Sequence, residues 1–161
     1  MKLGTKPDTF DKVDKGILCH KMKRMGIHGK LGIWLHNFLT NRNQAVIANG
    51  IKSRISEIRS GVPQGTVLGP LLFLILINDI DQDITNSSVH LFADDTRISK
   101  VIKNQENLTE LQEDLKTLYD WEKSNNMEFN GTKFEVLRCG PNRELKENEY
   151  KTPNEDNIDR K

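Results

Sequence analysis

The order of helical and hairpin signals along the chain predicts an α+β fold, with helices packed on one face of an antiparallel sheet. Three observations carry this expectation. Leu108, Leu111, Leu115 and Leu118 step by three and four between about Gln105 and Ser124, as on one face of an amphipathic helix, and Trp121 continues the face. Asn49-Gly50 separates the extended runs Ala45 to Ala48 and Ile51 to Ile58, and this dipeptide best tolerates the positive φ angles of a two-residue turn. Val89 to Ala93 and Thr96 to Val101 are two short apolar runs meeting at Asp94-Asp95, which reads as a second hairpin with acids at its tip.

The remaining elements follow in chain order. Residues 1–9 show no periodicity, and Pro7 discourages a helix there. Asp14 is a natural N-cap for a helix whose apolar face is Ile17, Leu18, Met22 and Met25 and which stops at Gly26. A second helix is expected from about Lys30 to Leu39, with Leu31, Trp34, Leu35 and Phe38 on one face. Gly61, Pro63, Gly65, Gly69 and Pro70 punctuate a loop. After it, Leu71 to Ile80 reads as a helix that is apolar nearly all round and therefore buried, with Asp79 near its end. Phe129 and the run Phe134 to Leu137 suggest two closing strands around Asn130-Gly131. Beyond Pro141 apolar residues nearly vanish and charges alternate, the pattern of a disordered tail over residues 141–161.

A chain of 161 residues with 35% hydrophobic residues has the material for one modest core. The formal charge of +1 conceals an asymmetry: residues 1–60 hold twelve Lys/Arg against four Asp/Glu, and residues 61–161 hold twelve against nineteen. A basic half suits a polyanion, although scattered solvated charge reads the same way. Cys19 and Cys139 are far apart, and His20, His28, His36 and His90 form no zinc-binding spacing. The longest apolar stretch, Leu71 to Ile77, falls well short of the ~20 residues that span a bilayer. With no apolar leader, the expected location is intracellular, in nucleus or cytoplasm, and not secreted. The acceptor-like triplets at Asn86, Asn107 and Asn130 are then chance matches.

Two segments carry candidate chemistry. Adjacent carboxylates at a tight turn can converge on a hard divalent cation, although Asp94-Asp95 read alone is more often a solvated turn. Asp81 and Asp83 have the same bland reading. Upstream, Ser60-Gly-Val-Pro-Gln-Gly65 combines glycines that permit close backbone approach with Gln64, which offers both a donor and an acceptor. A loop that merely starts a helix also uses Gly and Pro.

Together, Ser60-Gly-Val-Pro-Gln-Gly-Thr-Val-Leu-Gly-Pro-Leu-Leu72 and Phe92-Ala-Asp-Asp-Thr96 resemble the reverse transcriptases of non-LTR retrotransposons, in particular the jockey-like and related LINE-type elements. The resemblance runs from about Phe10 to Gly140. It includes Phe10-Asp-Lys-Val-Asp14, the stretch Trp34 to Gly50, Ile77-Asn-Asp-Ile80, and Met127-Glu-Phe-Asn130 with Lys133. It implies a polymerase palm, an antiparallel sheet with helices on one face, over residues 10–140. Residues 1–9 do not match, and fingers and thumb are largely missing.

By resemblance the activity is RNA-directed DNA polymerisation, a two-metal nucleotidyl transfer using Mg²⁺ (Mn²⁺ as a substitute), deoxynucleoside triphosphates, an RNA template and a DNA primer, with no membrane partner. The metal-binding carboxylates map onto Asp94 and Asp95. Phe10 matches the aromatic residue under the sugar that excludes a 2′-hydroxyl. Gly61, Pro63, Gln64 and Gly65 match the loop against nucleotide and template base, and Lys133 matches a lysine that assists pyrophosphate departure. Lys21, Lys23, Arg24, Lys30, Arg42, Lys52, Arg54 and Arg59 become candidate template-phosphate contacts. Set against this, the family's first metal-binding Asp falls at position 5, where the chain has Thr5, and a neutral hydroxyl is a poor magnesium ligand.

Three readings follow. The first is a polymerase by descent. The second is a catalytically inactive remnant or domesticated nucleic-acid-binding fragment, which Thr5 favours for this chain alone. The third, a nucleotide cyclase or phosphoacceptor module, also presents acids at a strand turn but has no use for the Pro63-Gln64-Gly65 loop.

Overall fold

The computed structural model describes residues 2–4, 9–92, 95–130, 134–137, 139 and 159–160. The chain forms two compact units, one of Asp8–Asn78 and one of Met1–Pro7 with Asp79–Lys161. Both mix helices with antiparallel strands, as expected of an α+β chain.

The Asp8–Asn78 unit begins with α1 (Thr9–Lys12) and α2 (Lys15–Arg24). The Asp14 carboxylate accepts from the backbone N–H groups of Gly16 and Ile17, which starts α2 where the sequence predicts. α2 packs against α3 (Gly29–Leu39) and α4 (Leu68–Ile77) around Leu18, Met22, Leu35, Leu39, Leu72, Phe73 and Leu76, all buried. Burying each such side chain contributes roughly 1.5–3 kcal/mol before chain entropy is counted.

The apolar faces are narrower than their sequence spacing suggests. Met25, at the C-terminal cap of α2, is about half exposed, and so are Leu31 and Trp34, because only the stripe of α3 through Leu35 and Leu39 is covered. Trp34 instead stacks on Phe38 of its own helix, with ring centroids 5.7 Å apart. α4 starts at Leu68, earlier than expected, since Pro70 is tolerated in a first turn whose N–H groups have no helical acceptor. Nor is it buried all round: Leu71 and Leu74 are half exposed while Leu72, Phe73, Leu76 and Ile77 face inward.

Between α3 and α4 the chain runs out and back as a ribbon of two short ladders. β2 (Asn43–Gln44) pairs with β5 (Ser56–Glu57), and β3 (Ile47–Ala48) pairs with β4 (Ile51–Lys52). Asn49 (φ 51°) and Gly50 (φ 76°) both lie in the left-handed region, the turn geometry that the Asn-Gly dipeptide predicts.

The other unit holds a five-stranded sheet in the order β6-β7-β1-β8-β9, comprising β1 (Lys2–Gly4), β6 (Ser88–Phe92), β7 (Asp95–Ser99), β8 (Glu135–Val136) and β9 (Asp159–Arg160). α5 (Gln105–Ser124) starts at Asn104, whose side chain accepts from the N–H of Asn107. Leu111, Leu115, Leu118 and Tyr119 of α5 meet Ile80, Ile98, Phe129 and Phe134 in one core. Tyr119 lies edge-on to Phe129, centroids 6.2 Å apart. Trp121 donates through Nε1 to Asp79 Oδ1 at 2.9 Å, so this acid has a structural partner.

Two parts of the sheet differ from expectation. Residues 2–4 form its central strand although they carry no periodicity, because three residues are too few to show one. At the far end of the tail, Asp159–Arg160 pair in parallel with Glu135–Val136. Residues 141–158 lie outside the described residues, as does Gly131, so of the two expected closing strands only Glu135–Val136 is seen as a strand.

Candidate functional site: a glycine-seated loop and an acidic hairpin

In the Asp8–Asn78 unit the loop after β5 is fastened to α1 and to Val13 just after it. The N–H of Gly61 donates to the Val13 carbonyl at 2.8 Å, and that of Val62 donates to the Phe10 carbonyl at 2.9 Å. Ser60 Oγ donates to the Asp11 carbonyl at 2.8 Å. Gly61 has φ 82°, and a Cβ there would stand 2.8–2.9 Å from Asp11 Cα, Asp11 O and Phe10 O. Only glycine therefore permits the contact, both for its backbone angle and for the space.

Three more contacts complete the loop. Gln64 Nε2 donates to Asp11 Oδ1 at 2.8 Å. Thr66 Oγ1 donates to the Pro63 carbonyl at 2.7 Å and accepts from the N–H of Gly69 at 3.1 Å, closing the turn that leads into α4. The Phe10 ring stacks on Phe73 of α4, centroids 4.5 Å apart at 28°. Phe10 thus has one face on a core aromatic while its backbone holds the loop.

From the other side, Arg42 donates through a terminal nitrogen to the Gly61 carbonyl at 2.5 Å and through Nε to the Leu39 carbonyl at 3.1 Å. Partial burial pushes its pKa below the usual guanidinium value. Lys15 donates to the Ile58 carbonyl at 2.6 Å, and burial together with the nearby Arg42 charge lowers its pKa, with Glu57 opposing. Asn41, at φ 54°, is the bend that turns Arg42 inward from the end of α3.

In the other unit, β6 and β7 pair so that Phe92 faces Asp95. Asp95 is half-buried at the start of β7, and its neighbour across the ladder on the other side is Gly4 of β1. The β6–β7 pair, held by the pairs from Ser88↔Ser99 to Phe92↔Asp95, therefore forms one side of the sheet, with β6 at its edge and β7 next to the central strand β1. Among the described residues, no three His, Cys, Asp or Glu side chains form a metal-holding group.

A profile of the family described as reverse transcriptase (RNA-dependent DNA polymerase) matches residues 7–154. The chain belongs to the reverse transcriptase family. Among curated proteins, this reverse transcriptase chain is similar to the RNA-directed DNA polymerase from the mobile element jockey of Drosophila melanogaster, 33% identical over 132 residues, and to that of Drosophila funebris, 30% identical over 132 residues. Each match covers 77% of this chain and 14% of the relative, so the chain spans about a seventh of the length of those polymerases. Among solved structures it is similar to apo telomerase from Candida tropicalis truncated from its C-terminal domain, with TM-score 0.61 and 15% identity, covering 82% of this chain and 29% of that one. At that identity the likeness is one of fold alone.

Within the reverse transcriptase fold, Phe10, Gly61, Pro63, Gln64 and Gly65 come together in one unit, and Asp95 stands on the sheet of the other. Asp94, Lys133 and Thr5 lie outside the described residues. Two residues proposed as phosphate contacts have other work: Lys21 is buried and donates to the Leu76 carbonyl at 2.6 Å, and Arg42 is taken by Gly61 and Leu39. Lys23, Arg24, Lys30, Lys52, Arg54 and Arg59 are exposed. Sequence reasoning gave Asp11 no role, although it lies inside the Phe10 to Asp14 motif; its acidity beside an aromatic residue was the available signal.

Proposed function

We propose that this chain is the nucleotide-facing palm portion of a jockey-type non-LTR reverse transcriptase and that, by itself, it is a catalytically silent remnant that retains nucleotide contacts. The observation carrying the first half is the seating of Gly61 on Phe10 and Asp11. Two segments that family resemblance assigns to nucleotide selection are about fifty residues apart in sequence, yet they are joined by backbone and side-chain hydrogen bonds. Phe10 would lie under the sugar, and Gln64 would meet the incoming nucleotide or template base.

The donor set for a divalent cation is Asp95, half-buried on β7, together with Asp94. Carboxylate oxygens suit Mg²⁺, which binds through one or two carboxylates plus substrate phosphates, so the residues fit that ion in part. When bound, the ion would neutralise charge on the transferring phosphoryl group. Thr5 follows the strand residue Gly4, the partner of Asp95, and contributes no third carboxylate. This is what supports the silent reading. Exposed lysines and arginines in residues 1–60 would contact phosphates of an RNA template with a DNA primer, and binding would weaken as salt rises.

The deciding experiment is primer extension on an RNA template with Mg²⁺, run beside equilibrium binding of a deoxynucleoside triphosphate. Binding without incorporation is expected. Incorporation that disappears in Asp94→Asn or Asp95→Asn would overturn the silent reading, and absence of nucleotide binding would overturn the contact reading.

A further inference from the structure

We infer that Asp11 is a positioning residue that sets which end of the Gln64 amide faces the nucleotide. The inference rests on the proposed role of the Gln64 loop, and it concerns a side chain to which that role assigns nothing. A glutamine amide has a donor end and an acceptor end of nearly the same shape, so an unrestrained Gln64 could present either to a ligand. An ionised carboxylate only accepts. Asp11 Oδ1 stands 2.8 Å from Gln64 Nε2, and the bond can form with only one orientation of the amide. Nε2 is drawn to Asp11, leaving Oε1 as the acceptor to be offered elsewhere.

Asp11 can do this because its own backbone is fixed. Its carbonyl accepts from Ser60 Oγ, and the carbonyls of Phe10 and Val13 on either side accept from Val62 and Gly61. The tight approach of Gly61 to Asp11 Cα leaves the Asp11 backbone no room to shift towards the loop. The carboxylate and the amide are thereby held on two strings of backbone bonded to each other, so a side-chain bond between exposed residues costs little additional ordering entropy. The ligand such a site prefers carries a hydrogen-bond donor, a sugar hydroxyl or a base N–H, opposite Gln64.

The test uses the full chain with Mg²⁺ and a deoxynucleoside triphosphate, together with the side-chain amide resonances of Gln64 in ¹⁵N-labelled protein. In Asp11→Ala the Gln64 amide resonances move towards those of a solvated glutamine. Affinity falls about tenfold in Asp11→Ala and in Gln64→Ala, and the double variant is no worse than either single one, the mark of residues acting through one bond. Asp11→Asn, whose amide donates as well as accepts, can pair with either orientation of Gln64 and therefore does not restore the affinity. A 2′,3′-dideoxynucleotide that is insensitive to Asp11→Ala assigns the donor to the sugar; one that stays sensitive assigns it to the base.

Gln64 resonances that do not change in Asp11→Ala, or losses that add in the double variant, would overturn the inference. A wild-type chain that binds no triphosphate overturns the proposed nucleotide role instead. The resonance measurement still decides whether Asp11 orients Gln64 in that case.

Discussion

Lys21 donates through Nζ to the carbonyl of Leu76 at 2.6 Å, and the lysine is only 8% exposed. Leu76 lies in the last turn of α4, where carbonyls have no helical partner and the helix end carries partial negative charge. A buried ammonium there satisfies an orphan acceptor and ties α2 to α4. Replacing Lys21 with Met keeps much of the stem packing but leaves the carbonyl without this donor. Urea unfolding of Lys21→Met should show a loss of about 1–2 kcal/mol relative to wild type. A salt-dependent loss of nucleic-acid affinity with unchanged stability would instead make Lys21 a phosphate contact.

Gly61 and Gly65 both have positive φ, 82° and 71°, yet their surroundings differ. A Cβ on Gly65 meets nothing within 4 Å, whereas one on Gly61 runs into the backbone of Phe10 and Asp11. Gly65→Ala should cost only the left-handed backbone term, about 1 kcal/mol. Gly61→Ala should cost about 3 kcal/mol or more, because backbone must move as well. Thermal unfolding of the two variants side by side checks the order; equal losses would mean that the loop does not rest on the Phe10 segment.

These two glycines mark where sequence reasoning is strong and where it fails. Asp14, Asn49-Gly50 and the leucines of α5 announce their elements because the physics is local: a cap reaches two or three residues, a turn needs two positive φ angles, and a helix face repeats within a turn. Gly61 and Gln64 are visible as candidates through family resemblance. That Gly61 must be glycine because Asp11 passes beneath it, and that Arg42 faces Gly61 rather than solvent, depend on contacts between segments distant in sequence. The strand Lys2–Gly4 is invisible for the same reason, since its partners β7 and β8 are distant in sequence, starting at Asp95 and Glu135. Half-exposed Leu31, Trp34, Leu71 and Leu74 show the converse: spacing identifies an apolar face but not which part of it is covered.

Among the described residues of the sheet unit, Glu110 is a source of acid sensitivity. Lys100 Nζ lies 2.6 Å from Glu110 Oε2, and Asn107 Nδ2 donates to the same oxygen at 3.1 Å. Hydrogen bonds from Lys100 and then Asn107 hold the Glu110 carboxyl below its ordinary pKa of 4.5. The folded state thus binds the proton less readily than the unfolded state. Its contribution is complete above the unfolded pKa and is lost as pH falls through the lowered folded value. Glu110→Gln should flatten the stability profile below about pH 4.5 and leave the neutral-to-alkaline limb unchanged. Solvent reaches this carboxylate, so the change in slope will be small. An unaltered acid limb in denaturant titrations from pH 3 to 6 would sink this assignment.

The two free thiols should separate by reactivity. Cys19 lies on α2 partly covered, its Sγ 3.6 Å from His36 Nδ1 of α3, whereas Cys139 is exposed. Burial pushes the Cys19 thiol above its ordinary pKa, and the Lys23 charge opposes this only in part. Because the thiolate is the nucleophile, both reduced access and reduced ionisation slow attack at Cys19. A maleimide or disulfide reagent at neutral pH should therefore label Cys139 first, with Cys19 following at least several-fold more slowly and gaining as pH rises. Lys23→Glu should slow Cys19 further, since it replaces a thiolate-stabilising charge with a repelling one. If Cys19 reacted as fast as Cys139 in the native protein and Lys23→Glu had no effect, α2 and α3 would not be packed at this point, and the core that supports the Gly61 loop would need to be redrawn.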